Sequence, residues 1–181
     1  SFPSSQTHIL VGQAGVARHD PDYFPLYVGN HVLGGNPLVS ILGDALRNDR
    51  GLSYSVSSHL SPMRAKGPFL MVAQTKNDQA DEALEVMRET LQQFVDKGPS
   101  DEQLEAAKRN IVGSFPLAIA NNGSIVEYLS MIGFYDLPLN WLDTFTDKVE
   151  AVSVLAVRDA FRRRIDPAND IAVVVGGKPD D

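Results

Sequence analysis

The sequence of 181 residues contains no cysteine. Disulfide bonds, thiolate metal sites and cysteine nucleophiles are therefore excluded together. Basic residues are few, because 16 lysines and arginines stand against 23 acidic residues, giving a formal net charge of −7. This balance argues against a protein that binds nucleic acid without regard to sequence. The longest apolar runs are short, as in Ile171–Val175, so no segment is predicted to span a membrane.

The four histidines are dispersed along the chain, at positions 8, 19, 31 and 59. No two of them have the i, i+4 spacing that places two imidazoles on one helical face for zinc. A phosphate-binding glycine loop with its lysine and a G-x-S-x-G serine motif are also absent from the sequence. We therefore expect no metal or cofactor to be bound by this chain alone.

Strand-like and helix-like periods alternate along the chain. They predict strands at 8–13, 54–60, 67–75 and 171–175, and helices at 23–33, 38–48, 79–97, 100–115, 124–135, 141–150 and 153–165. Paired strands followed by a run of helices favour an α+β domain of two layers, a mostly antiparallel sheet with helices packed on one face. No repeat or linker is visible, so residues 1–181 are interpreted as a single domain.

Finer expectations concern the individual strands and helices. In the strand at 54–60, strict alternation places Tyr54 on the same face as Val56, opposite a polar face of serines that borders solvent. The last strand is apolar on both faces and is expected in the interior of the sheet. The helices at 79–97 and 100–115 are expected to lie against the sheet, and the second of them is expected to end at Pro116. The arginine triplet at 162–164 is expected to face solvent.

Arg47 and Tyr54 flank the turn between the helix at 38–48 and the strand at 54–60. The turn can bring a guanidinium and a phenol onto one rim, where they could bind a peptide carbonyl and donate a hydrogen bond to an oxyanion. From the residues alone a structural role is the stronger interpretation. An arginine near a helix C-terminus stabilises the helix dipole, and tyrosine is common in strands.

Three further segments carry an ordered set of motifs. Residues 30–35 read N-x-x-L-G-G, residues 50–56 read R-G-L-x-Y-x-V, and residues 98–108 begin G-P-S and continue with Glu102, Leu104 and Ala107-Lys108. This set resembles the C-terminal halves of the M16 zinc metallopeptidases, the pitrilysin and processing-peptidase family. The resemblance extends over nearly the whole chain.

The resemblance implies a peptidase built from homologous α+β domains that enclose a peptide in a chamber. One domain carries zinc in an H-x-x-E-H motif, and its partner contributes an arginine and a tyrosine. This sequence has no H-x-x-E-H, so it resembles the partner that lacks zinc, and motif alignment places Arg47 and Tyr54 on the catalytic pair. The implied partners are a homologous zinc-bearing domain, fused or separate, and a peptide substrate. A bacterial periplasmic location is favoured by the resemblance only.

A second interpretation is a non-catalytic scaffold, like the core subunits of the respiratory bc1 complex that share this fold. The sequence feature that favours the peptidase is the presence of both Arg47 and Tyr54, since a scaffold needs neither.

Overall fold

A computed structural model describes residues 4–36 and 39–177 of the chain. Its sheet has the strand order β2-β3-β1-β4, and all three ladders are antiparallel. The strands are β1 (Gln6–Ala14), β2 (Ser53–Leu60), β3 (Pro68–Lys76) and β4 (Ile171–Val175).

Each predicted helix is present, with changed ends in most cases. The helices are α1 (Tyr23–Asn30), α2 (Ile41–Gly43), α3 (Ala80–Lys97), α4 (Asp101–Ala118), α5 (Asn122–Phe134), α6 (Trp141–Glu150) and α7 (Val154–Arg164). Two π-helical segments, His31–Gly35 and Asp44–Asn48, continue α1 and α2. The helix expected from Leu38 begins at Ile41, and Leu38 lies outside the described residues.

Helices cover one face of the sheet, as predicted. The buried side chains alternate along β1 and β3, and on the covered face they include Ile9, Val11, Phe69 and Met71. The ring of Phe161 in α7 meets that of Phe69 edge-on, with centroids 6.4 Å apart. The fold is therefore an α+β domain with an antiparallel sheet and an uncovered second face.

The position of α4 differs from the expectation that it lies on the sheet. Its main neighbours are α1 and α6, and Phe115 stacks on Phe145 with ring centroids 4.6 Å apart. An amphipathic pattern indicates that a helix has a buried face but does not specify which element covers it. The helix also continues past Pro116 to Ala118, because a proline in the last turn removes only one intrahelical hydrogen bond.

The last strand, β4, is an edge strand, and the expectation of an interior position is wrong. It pairs only with β1 among the described strands, and Ile171, Val173, Val174 and Val175 are exposed. In the ladders Leu10 lies opposite both Val72 and Val173. An apolar row therefore crosses the uncovered face of the sheet. Because β4 contributes to this row, it is apolar on both sides although it is not an interior strand.

Arg162 and Arg163 of the arginine triplet are exposed, as expected, and Arg164 is half-buried, but all three also have partners that the sequence did not indicate. Arg163 and Arg164 form ion pairs with Asp22, at 2.7 and 2.8 Å, while Arg162 donates to backbone carbonyls at the end of α3. The hydrogen bond from Arg163 is the main reason that the pKa of Asp22 lies below its ordinary value, and burial partly opposes it. The triplet therefore ties the end of α7 to the start of α1 and the end of α3.

Candidate functional site

Arg47 lies in the π-helical segment Asp44–Asn48, which α2 leads into. Ser40 begins this helix as its N-cap, and its buried hydroxyl accepts a hydrogen bond from the backbone N–H of Gly43 at 3.2 Å. A Cβ on Gly43 would lie 3.8 Å from Nη2 of Arg47, so the guanidinium lies over the preceding turn. The helix therefore fixes the direction in which Arg47 leaves it.

A tight turn connects this helix to β2. Gly51 has φ +63°, which glycine adopts without strain. The N–H of Leu52 donates to the carbonyl of Leu46 at 2.7 Å, and the N–H of Gly51 donates to that of Arg47 at 3.2 Å. Both hydrogen bonds span one residue more than in the common Schellman motif, as expected after a π-helical turn. The segment Asp44–Asn48 and β2 consequently pack against each other.

Tyr54 lies in a β-bulge, and its predicted place beside Val56 on one face is wrong. Ser53 is paired with Thr75 and Ser55 with Gln74, so Tyr54 has no opposite residue in β3. The bulge allows Ser53 and Val56, three positions apart, both to face the core. Tyr54 is 95% exposed. An edge strand thus presents a whole phenol to solvent at the end of the Arg47 turn.

Buried hydroxyl groups hold the bulge. The hydroxyl of Thr75 donates to the carbonyl of Leu52 at 2.6 Å. The hydroxyl of Ser53 lies 2.8 Å from the carbonyl oxygen of Ser55 and 2.6 Å from the carbonyl oxygen of Gln74. Its single proton is shared between these two acceptors. A serine expected on the solvent face is therefore buried, and its hydroxyl finds backbone carbonyls as hydrogen-bond acceptors.

The N-x-x-L-G-G segment packs directly against β2. The side chain of Asn30 donates to the carbonyl of Ser58 at 3.2 Å, and the hydroxyl of Ser58 donates to the carbonyl of Asn30 at 3.3 Å. A Cβ on Gly34 would lie 2.6 Å from the backbone nitrogen of Ser58. Glycine is therefore required for this close approach, which sets the distance between the helices and the strand that carries Tyr54.

A side-chain network surrounds Arg47. Its Nε donates to Oδ1 of Asn48 at 3.2 Å, and Nδ2 of Asn48 donates to Oδ1 of Asp44 at 2.6 Å. The carboxylate thereby fixes which way the Asn48 amide points. The sequence interpretation missed Asp44 and Asn48, although their i, i+4 spacing on one helix is a signal for such a hydrogen bond.

Arg47 and Tyr54 both offer hydrogen-bond donors to oxygen atoms. A guanidinium provides donors in a planar fork that suits carbonyl and carboxylate oxygens, and an exposed phenol provides one O–H donor. Both come from elements in contact and are joined by a short, hydrogen-bonded turn.

The side chains that could act as metal ligands are dispersed. Within residues 4–36 and 39–177, no cluster of three or more histidine, aspartate and glutamate side chains could hold a metal ion. The donors of this part of the chain therefore do not fit zinc. In the same part of the chain, no helix has the length and hydropathy needed to cross a bilayer.

Comparison with known proteins gives consistent matches. The profile of the peptidase M16 inactive domain matches residues 2–111. An uncharacterised zinc protease of Streptomyces coelicolor is 30% identical over 124 residues, covering 68% of this chain and 27% of that protein. A non-peptidase homolog of Helicobacter pylori is 26% identical over 151 residues, covering 82% and 34%.

A solved structure matches almost the whole chain. The crystal structure of a peptidase M16 inactive domain from Pseudomonas fluorescens superposes with a TM-score of 0.92 at 34% identity, covering 98% of this chain and 42% of that one. The chain thus spans well under half the length of these relatives.

Proposed function

The chain belongs to the peptidase M16 family as a domain of its inactive type, and on that premise we propose that it is the non-zinc half of a zinc endopeptidase. In this proposal Arg47 and Tyr54 complete an active site whose zinc motif lies in a homologous partner domain, fused or separate. The observation that carries it is the bulge in β2, which exposes the phenol of Tyr54 beside the Arg47 turn.

The two side chains have different roles. The zinc of the partner domain would supply an activated water. Tyr54 donates its phenolic hydrogen to the oxygen of the scissile carbonyl, where negative charge develops as the carbonyl is attacked. Arg47 holds a neighbouring carbonyl of the peptide and so fixes which bond lies at the reacting centre.

The burial pattern supports a structural role less well. A tyrosine that only stabilises the sheet would bury its ring, yet Tyr54 is among the most exposed apolar side chains of the described residues. The buried hydroxyls of Ser53 and Thr75 form hydrogen bonds that stabilise the bulge, in which Tyr54 lies outside the ladder. β-Bulges are enriched at the edges of sheets and next to active sites, where they redirect a side chain.

The uncovered sheet face supports a partner. Leu10, Val72 and Val173 are aligned across three strands on that face, and apolar patches of this kind mark contact surfaces. A partner domain that covers this row would also stand close to β2, where Tyr54 projects.

Tyr54→Phe tests the proposal, because it removes one hydroxyl and keeps the ring. In an assembly with the zinc-bearing partner, we expect kcat for a quenched fluorescent peptide to fall about 10²–10³-fold, the usual loss of one oxyanion donor. Tyr27→Phe is the matched control, since its ring packs at 5.9 Å from that of Phe145 in the helical layer. Wild-type kcat in Tyr54→Phe would show the catalytic assignment to be wrong.

A non-catalytic scaffold is the second candidate, favoured by one observation. The Helicobacter pylori relative is named a non-peptidase homolog. The two candidates differ in what they require of the assembly: a scaffold pairs with its partner but cleaves no peptide, whatever residue stands at position 54.

A further inference from the structure

Asp44, Asn48 and Arg47 are connected by side-chain hydrogen bonds on the π-helical segment that precedes β2. Asp44 and Asn48 are four positions apart, the spacing at which helical side chains are neighbours. Oδ1 of Asp44 accepts from Nδ2 of Asn48 at 2.6 Å, and Oδ1 of Asn48 accepts from Nε of Arg47 at 3.2 Å. The backbone beneath them is held as well, since the N–H of Asp49 donates to the carbonyl of Asp44 at 2.9 Å. The guanidinium is therefore linked through an amide to a carboxylate on the preceding turn.

Asp44 sets the orientation of the Asn48 amide. An ionised carboxylate only accepts hydrogen bonds, whereas an amide has an acceptor at one atom and a donor at the other. Asp44 therefore binds the NH2 group of Asn48, and the amide oxygen is turned towards Arg47. In the reverse orientation two oxygens would face each other at Asp44 and two donors would face each other at Arg47. Both hydrogen bonds would then be lost, so Asp44 acts on Arg47 through Asn48.

Two contacts define the direction of the guanidinium of Arg47. Its Nε is bound by Asn48, and its Nη2 lies over the turn at Gly43, 3.8 Å from the place that a Cβ would take there. Because a guanidinium is planar, fixing Nε and one Nη sets the plane in which its remaining N–H groups point. The acceptor of the Nε hydrogen bond is a neutral amide, so it orients the group without neutralising its charge.

An ordered guanidinium binds a peptide carbonyl more tightly than a mobile one does. Immobilising one long side chain on binding weakens affinity by about two- to tenfold. The network orders the side chain of Arg47 during folding, before any peptide is bound. The gain is the same for the bound substrate and for the transition state, so it lowers KM and leaves kcat unchanged.

We propose that Asp44 and Asn48 are positioning residues for Arg47. Asp44 orients the amide of Asn48, and Asn48 holds the guanidinium in the direction in which it binds the peptide carbonyl. Neither of the two residues touches the peptide. The inference rests on the proposed function, because it takes the binding of a peptide by Arg47 as the step that the network favours.

The first test is steady-state cleavage of a quenched fluorescent peptide by the domain paired with its zinc-bearing partner. Asn48→Ala removes the acceptor for Nε of Arg47 and should raise KM about two- to tenfold with kcat unchanged. Asp44→Ala should have a similar effect, because the amide loses its orientation. Asp49→Ala is the matched control, since it removes the same charge from an exposed position next to Asn48 and should keep the wild-type KM. Equal KM in Asp44→Ala and Asp49→Ala overturns the proposal.

Asn48→Asp separates the orienting role of Asp44 from its other effects. A carboxylate at position 48 has acceptors on both sides, so it can bind Nε of Arg47 whichever way it is turned. Asp44→Ala should therefore raise KM in the wild-type background and should not raise it in the Asn48→Asp background. An equal increase in both backgrounds would mean that Asp44 does not act through Asn48.

An NMR measurement on this chain alone separates the network from the proposed function. The Nε–H group of Arg47, assigned as the signal that Arg47→Lys removes, should have the order parameter of a rigid group. Asn48→Ala and Asp44→Ala should lower this order parameter, and Asp49→Ala should leave it unchanged. If neither Asn48→Ala nor Asp44→Ala lowers it, the network does not hold the guanidinium and the proposal is wrong.

The two measurements together assign a failure to one proposal or the other. If the order parameter falls as expected but Arg47→Ala leaves kcat/KM unchanged, the network stands and the peptide-binding role of Arg47 is wrong. If Arg47→Ala lowers kcat/KM while Asn48→Ala keeps the wild-type KM, the proposed function stands and the positioning role of Asn48 is wrong.

Discussion

Ser53 and Thr75 are paired across the β2–β3 ladder, and both side chains are buried. The next pair along is Ser55 with Gln74, so the chain between the two pairs holds one extra residue, Tyr54. The buried hydroxyls of Ser53 and Thr75 satisfy carbonyls on both sides of that residue. The exposure of Tyr54 therefore depends on two small polar side chains that themselves face the core.

Thr75→Val tests this dependence by replacing a hydroxyl with a methyl group of similar shape. The carbonyl of Leu52 loses its buried 2.6 Å hydrogen bond, so we expect the free energy of unfolding to fall by about 1–2 kcal/mol in urea denaturation. Because the bulge is then less firmly held, kcat of the paired enzyme should also fall, with KM little changed.

Thr90→Val is the control for Thr75→Val. Thr90 is also buried but lies in α3, away from the bulge. It should alter stability without a selective loss of kcat. An equal kcat in the two variants would mean that Thr75 stabilises the sheet and does not position Tyr54.

Gly34→Ala should be strongly destabilising. The added Cβ would lie 2.6 Å from the backbone nitrogen of Ser58 and 2.8 Å from Cδ1 of Leu42, and a paired strand cannot move away easily. We expect a loss of about 1–3 kcal/mol, the usual cost of overpacking. Gly113→Ala in α4 is the control, since its Cβ would meet nothing within 4 Å; it should stabilise by about 0.5–1 kcal/mol. Equal effects would contradict the close contact with β2.

The fold class and the approximate positions of the helices and strands could be predicted because they depend on local periodicity. The apolar spacing of α3 and the alternation in β3 are each visible within a few residues. The bulge was not predictable in this way, because Tyr54 in an unbroken alternation shares a face with Val56. Only the pairing with β3 shows where the extra residue lies.

Positions that depend on distant partners were also missed. The edge position of β4 follows from strand order, and apolar content alone cannot distinguish an interior strand from an edge strand with one uncovered face. The ion pairs of Arg163 and Arg164 could not be predicted, because their partner Asp22 lies far away along the chain. Asn48 becomes a candidate site residue only because its side chain accepts a hydrogen bond from Arg47.

Asp22 should make stability pH-dependent in acid. Its carboxylate accepts hydrogen bonds from Arg163 and Arg164, chiefly the former, and its pKa in the folded state lies below the ordinary 3.8. Its contribution is therefore fully present above pH 3.8 and is lost as the pH falls through the lowered pKa of the folded protein.

Asp22→Asn measures this contribution. Urea denaturation at a series of pH values should show a loss of about 1–2 kcal/mol near neutral pH, since the arginine partners are partly exposed and screened. The variant should also show a shallower decline in stability below pH 4. Asp147→Asn, at an exposed position in α6, should keep the wild-type pH dependence. A decline in Asp22→Asn that matches the wild type would show that other carboxylates control acid stability.

Arg47→Ala should raise KM and lower kcat in the paired enzyme, because Arg47 is proposed to hold a substrate carbonyl before and during the reaction. The loss of a charged hydrogen-bond donor predicts a fall in kcat/KM of about 10- to 100-fold. The control is Arg50→Ala in the same turn, whose guanidinium lies 3.9 Å from Glu82 and away from the Asn48 network. Steady-state cleavage of a quenched fluorescent peptide measures both constants. If Arg50→Ala and Arg47→Ala reduce kcat/KM equally, the effect belongs to the net charge of the turn, and Arg47 has no specific part in holding the peptide.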